Sequence, residues 1–222
     1  GCALSDLRAE FHDDHVVGDR HHHSHVVFDE QHGQLVPVAN PIGLSQRLLQ
    51  AHHGRFDLAS GENFNRHYMD VVPRVCELVA PHFGRDADAN VVLVREALRR
   101  ACDELPAETE LQSLRRVLLG LAIDADVVLD LHCDNEAVLH LYSATHLWPQ
   151  VEPLARLLGA EVSLLADVSG DDPFDEACST VWPRLAAMLS QRLGQPVLLP
   201  DACIAVTVEL RGEADVNHDL AA

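Results

Sequence analysis

The stretch Asp126-Val-Val-Leu-Asp-Leu-His-Cys-Asp134 ends an apolar run in three polar residues spaced by two. In an extended chain side chains alternate, so Asp130, His132 and Asp134 fall on one side. A buried strand ending in Asp-x-His-x-Asp at a sheet edge is a way to present a metal ligand. His132 would then need two more ligands, a general base and an anion clamp. His12-x-x-His15 offers a short-spaced pair at another strand exit, and a catalytic zinc takes three protein ligands from nitrogen or carboxylate donors. Other pairs such as His52-His53 exist, so position at a strand end, more than spacing, favours His12 and His15. Glu209 closes the apolar run Ala202–Leu210. A carboxylate there is costly to bury unless it is paired or working. Its work would be that of a general base, and the plainer alternative is a glutamate reaching solvent or Arg211. Arg55 and Asn63-Phe-Asn-Arg66 offer planar guanidinium forks for a carboxylate. The plainer alternative there is pairing with Asp57 or Glu62.

The composition restricts the partners. The chain has 222 residues and a formal charge of −19, and all 16 basic residues are arginine. Such an acidic chain is a poor ligand for nucleic acid or an anionic membrane. The 15 histidines are the one compositional hint of metal. Six scattered cysteines without a Cys-x-x-Cys pair fit reduced thiols of a cytoplasmic protein. No apolar run is long enough to span a bilayer.

The elements that must position these groups follow from periodicity. Residues 3–11 alternate as a strand, and Asp19–His32 should be a short helix, although its histidine run is poor helix sequence. Leu35–Ala39 reads as a strand that Pro37 demotes to an edge or a bulge. Leu44–Ala51 reads as a helix, and residues 54–66 as a long polar loop of the kind that carries function. Helices over about 68–82, 88–104 and 107–122 follow, then the strand 126–132 and an apolar stretch Ala137–Tyr142. A helix over about 148–158 closed by Gly159 leads to a strand over about 160–165. An amphipathic helix Phe174–Leu193 ended by Gly194 precedes the last strand. This alternation predicts an α/β fold: a central mixed, mostly parallel sheet with helices on both faces, in one domain over residues 1–222.

Four motifs in order, Asn40-Pro-Ile-Gly, Asn65-Arg66, Asp130-Leu-His-Cys-Asp134 and Thr207-Val-Glu-Leu210, resemble the succinylglutamate desuccinylase/aspartoacylase family of the zinc carboxypeptidase-like superfamily. The resemblance runs from about residue 4 to the C-terminus. It implies a zinc cofactor on His12, His15 and His132, with Glu209 as general base and Arg55 polarising the scissile carbonyl. It also implies that Asn65 and Arg66 hold a substrate carboxylate. The expected reaction is hydrolysis of the amide bond of an N-acyl amino acid, a small-molecule substrate, by a protein that can form a homo-oligomer. Two features depart from the family. Its second ligand is a glutamate where this chain has His15, with Asp14 as an alternative oxygen donor, and the exchange raises the site's charge by one unit. Its β-rich C-terminal domain is not encoded in these residues. A carboxypeptidase acting on peptides and a non-catalytic metal-binding protein are the alternative functions, the second motivated by His15 and the His21–His25 run. His-rich sites also accept nickel, copper or cobalt.

Overall fold

The computed structural model describes Ser24–Phe28, as backbone, and residues 33–215. The strand expected over residues 3–11, with His12 and His15, lies outside the described residues. Val- and Leu-rich runs form the two central strands, β5 (Val127–Asp134) and β8 (Ile204–Gly212), which pair in parallel. Around them lie β1 (Ser24–Phe28), β2 (Gly33–Val36), β6 (His140–Ser143) and β7 (Val162–Leu165), in the order β2-β1-β5-β8-β6-β7. The sheet is mixed: β5–β8 and β6–β7 are parallel, and β1–β2, β1–β5 and β6–β8 are antiparallel. β2 sits at the edge, where Pro37 after it removes no ladder donor.

The helices are α1 (Pro41–Ser45), α2 (Val72–Val79), α3 (Ala87–Asp103), α4 (Glu110–Ala122), α5 (Trp148–Leu158), α6 (Phe174–Ser179) and α7 (Val181–Leu193). Their ends follow local chemistry. Asp86 caps α3, Thr109 and Gln112 form a reciprocal capping box on α4, and Gly159 stops α5 in a left-handed conformation.

Alternation along β5 and β8 sorts residues to two faces. On one, Val128, Ala205 and Cys203 join a core with Val75, Leu98, Leu119, Trp182 and Leu185 from α2, α3, α4 and α7. On the other, Val206 and Val208, with Leu129 and Leu131 alongside, meet Leu141, Leu147, Val151 and Ala155, so α5 covers that face. Helices on both faces are thus realised.

Three local expectations are corrected. The Asp19–His32 segment supplies β1 instead of a helix, because Val26-Val-Phe28 is β-branched and aromatic sequence that pairs with both β2 and β5. Leu44–Ala51 is not one helix: α1 stops at Ser45, and β3 (Arg47–Leu48) and β4 (Ala51–His52) form a tight hairpin. Its turn residues Leu49 and Gln50 take positive φ of 51° and 69°, the pair of left-handed positions that a two-residue hairpin turn needs. The expected single helix Phe174–Leu193 is two, broken at Thr180. Pro183, near the start of α7, has no N–H to bond four residues back, so the ladder cannot run through.

Candidate active site

The carboxyl ends of β5 and β8 emerge from under the helices into an open cleft of about 480 Å³. Cleft and core share one face of the sheet, which changes from core to cleft within four residues: Val128 and Ala205 are core, while His132 and Glu209 line the cleft. Register brings three residues side by side across three strands, with Glu209 on β8 opposite both His132 on β5 and His140 on β6. Pairing then slips between His132 and Asp134, and Asp134 meets Gly212 across a bulge whose Arg211 has φ 69°.

His132 is held from behind. Asp130, fully buried, takes its Nε2–H at 2.7 Å. Burial disfavours the His132 imidazolium, but the Asp130 charge and hydrogen bond outweigh it and leave the ring's proton affinity raised. Asn65 braces the same pair: its Nδ2 lies 3.3 Å from Asp130 Oδ2 and 3.3 Å from His132 Nε2, and its Oδ1 accepts Phe174 N at 3.0 Å. Since His132 Nε2 donates to the carboxylate, the Asn65 amide serves Asp130 as well. A carboxylate on one ring nitrogen is how metal-ligating histidines are oriented toward a metal through the other. In this respect His132 fits the expected metal. No group of three or more His, Cys, Asp or Glu among the described residues could hold an ion by itself. The remaining expected ligands, His12 and His15, lie outside the described residues.

Glu209 is the second chemical group. Its Oε2 is buried with no hydrogen-bond partner among the described residues. Burial pushes its carboxyl above the usual range, countered in part by His132 and His140. It pairs with no arginine among the described residues, so the plainer reading of a strand-end glutamate tied to Arg211 is not what forms.

The loop 54–66 brings the arginines to this floor. Asn40 Nδ2 donates to Gly54 O at 3.1 Å while its Oδ1 accepts Gly43 N at 2.8 Å. A Cβ on Gly43 would fall on the Asn40 amide and 2.5 Å from Gly54 O, which explains the glycine of Asn40-Pro-Ile-Gly43. Arg115, itself buried, fixes the far limb through Glu62 Oε2 and Asn63 O, both at 2.9 Å. Asp57 accepts from Ser60 Oγ at 2.7 Å and from the Ala59 and Ser60 amides. The local acids are therefore occupied, and Arg55 and Arg66 have no carboxylate partner among the described residues. Both line the cleft, Arg55 with its guanidinium 5.8 Å from the Phe56 ring centroid and Arg66 with Nη1 on Asn65 O at 2.6 Å.

Two cleft residues, Asp175 and Tyr142, and His140 opposite Glu209 have no counterpart in the sequence reading. Asp175, in the first turn of α6, enters the cleft because the loop before it docks on the Asn65 segment: His67 N bonds Asp171 O and Tyr68 N bonds Asp172 O. Burial, then the Asp130 and Glu176 charges, push its carboxyl up to about 6. Tyr142 lines the opposite wall, its phenol pushed up by burial and by Glu209 and Asp134. His140 donates Nδ1–H to Val138 O at 2.9 Å, which fixes its tautomer, since a carbonyl only accepts. The alternation His140-Leu-Tyr142 was the available signal for these two. Asp175 had none.

Comparison with solved structures gives the same fold. A succinylglutamate desuccinylase/aspartoacylase family protein from Shewanella amazonensis SB2B matches 84% of this chain with a TM-score of 0.66 and 28% identity. A protein assigned as a succinylglutamate desuccinylase/aspartoacylase from Shewanella frigidimarina NCIMB 400 matches 82% with a TM-score of 0.67 and 25% identity. The matches take in 50% and 48% of those proteins, so this chain spans about half their length. No protein-family model and no curated protein matches the chain. No helix among the described residues is long and apolar enough to cross a membrane.

Proposed function

From its similarity in fold to the succinylglutamate desuccinylase/aspartoacylase proteins, we propose that this chain is a zinc-dependent hydrolase that cleaves the amide bond of an N-acyl amino acid. The observation that carries the reading is the meeting of His132, Glu209, Arg55 and Arg66, from separate parts of the sequence, in one cleft at the carboxyl ends of a parallel strand pair. His132, backed by Asp130, would hold the zinc together with His12 and His15, or with Asp14 in place of His15. When bound, the zinc supplies Lewis-acid polarisation of the scissile carbonyl and of the attacking water.

The chain's own groups do the rest. Arg55 donates to the carbonyl oxygen as negative charge develops there. Glu209 accepts a proton from the attacking water at its carboxylate and returns it to the leaving amine nitrogen. Its buried oxygen, with no donor among the described residues, is the more basic for it. Arg66 takes the amino acid's carboxylate on its fork. Asn65 contributes by holding the Arg66 guanidinium through its backbone carbonyl and, through its side-chain amide, the Asp130 carboxylate that backs His132.

The test is release of free amino acid from a panel of N-acyl amino acids by zinc-loaded protein, alongside Glu209→Gln. The variant should keep its zinc and lose about 10²–10⁴-fold in kcat, the range for removing a general base. Full activity in Glu209→Gln would refute the assigned base. Tight zinc binding without any turnover would support a non-catalytic metal protein, and recovery of turnover in His15→Glu would then trace the loss to that ligand.

A further inference from the structure

The chemistry above makes no use of the cleft's apolar wall. Phe56 and Leu58 line the cleft and are 50% and 48% exposed. Such exposure in a loop would be unremarkable were the loop loose, but the backbone is clamped at both residues. Gln46 Nε2 donates to His53 O and to Phe56 O, and its Oε1 accepts Leu58 N, each at 2.8 Å. Two apolar side chains are thereby held out into the site by a dedicated side-chain bracket.

Their position relative to the arginines gives them a use. Arg55 stands against the Phe56 ring, and Arg66 lines the same cleft. With the substrate carboxylate on Arg66 and the scissile carbonyl at Arg55, the amino acid occupies the Arg66 side. The group on the other side of the carbonyl, the acyl chain, is left to Phe56 and Leu58. Charge points the same way. Arg55 and Arg66 are the two permanent cations among the described cleft residues, against the carboxylates of Asp134, Asp175 and Glu209. Once both arginines are engaged, a second carboxylate on the acyl group would meet these acids with no further arginine among the described cleft residues to answer it.

We infer that the acyl group this cleft accepts is uncharged and apolar, an aliphatic or aromatic acyl seated on Phe56 and Leu58, and not a dicarboxylic one. The inference rests on the deacylase reading, and its test separates the two. Zinc-loaded full chain is assayed on one amino acid carrying acetyl, butanoyl, hexanoyl or succinyl groups. The value of kcat/KM should rise by up to about fourfold per added methylene, the ratio for burying a CH₂, and butanoyl should exceed succinyl by about tenfold or more. Phe56→Ser with Leu58→Ser should flatten the dependence of kcat/KM on acyl length. Preference for succinyl, or an unchanged slope in the double variant, overturns the inference. If no acyl amino acid turns over, the deacylase reading fails instead. Calorimetric binding of hexanoate against succinate then decides the wall alone: tighter hexanoate binding that the double variant loses supports it, and equal binding overturns it. A double variant that changes oligomeric state by light scattering and leaves the slope intact marks the patch as a contact between copies, which also overturns it.

Discussion

The two faces of β5 and β8 start alike and end differently. Toward α5, Leu129, Leu131, Val206 and Val208 are apolar to the strand ends and stay covered by Leu141, Leu147 and Val151. Toward the larger helical layer, Val128 and Ala205 give way to Asp130, His132, Thr207 and Glu209, and the cover stops where the cleft opens. One face is a closed core and the other a core that turns into a site. The same strand can do both because its alternation sends neighbours to opposite sides. Polar groups at the strand ends therefore cost nothing on the α5 side. The lesson lies in Asp130: a fully buried carboxylate is tolerated where the apolar face ends because His132 and Asn65 both answer it.

Breaking each face should give different signatures. Asp130→Ala strips the partner from His132 and Asn65. It should lower unfolding free energy by about 3–5 kcal/mol and weaken zinc binding about 10–100-fold, read by urea denaturation and by competition with a chelator. Leu141→Ala on the closed face should cost about 2–5 kcal/mol with zinc affinity unchanged. If the two variants shifted zinc affinity equally, the division of labour between faces would be wrong.

Gly43→Ala probes the loop that completes the open face. The new methyl meets Asn40 and the Gly54 carbonyl, so stability should fall by about 1–3 kcal/mol. Displacement of Arg55 should lower kcat/KM by up to about 10²-fold. Unchanged kinetics would mean that Asn40-Pro-Ile-Gly43 does not position Arg55.

The smallest expected change is a gain. Asp175 has a carboxyl raised to about 6 in the fold from an ordinary 3.8. The folded state thus binds its proton more tightly than the unfolded chain does. That preference favours folding fully below about pH 4 and is lost as pH rises through about 6. Asp175→Asn, which does not titrate, should therefore stabilise the metal-free protein by about 1–3 kcal/mol at pH 8 and by little at pH 3. Denaturation midpoints at the two pH values check it. A loss of stability at pH 8 would mean that the Asp175 carboxylate has a favourable partner.

Much of the frame was legible because its signals are local. Long periodic runs placed α3, α4, β5 and β8 close to where they form, and Gly159 and Gly194 marked the ends of α5 and α7. Leu44–Ala51 misled because eight residues of mixed pattern do not separate a helix from a hairpin, and the left-handed turn at Leu49-Gln50 carries no glycine to announce it. Phe174–Leu193 looked continuous because periodicity reports the buried face and not the missing donor at Pro183. His140 lay in a stretch recognised as apolar, but only antiparallel pairing of β6 to β8 sets it against Glu209. Asp175 reads as an ordinary acid in a helix's first turn until the loop before it docks on His67 and Tyr68.

By itself, then, the sequence determined that β5 and β8 end in polar groups, that Asp130 and His132 share a side, and that a loop rich in arginine and asparagine had to lie near a site. These follow from bond geometry and from the cost of burying unpaired charge, which act over a few residues. Only the tertiary structure decided that Glu209 stands between His132 and His140, that Asn65 is spent on bracing His132, and that Phe56 and Leu58 wall the cleft. Strand register and loop docking settle those contacts, and both depend on pairings between residues far apart in the chain.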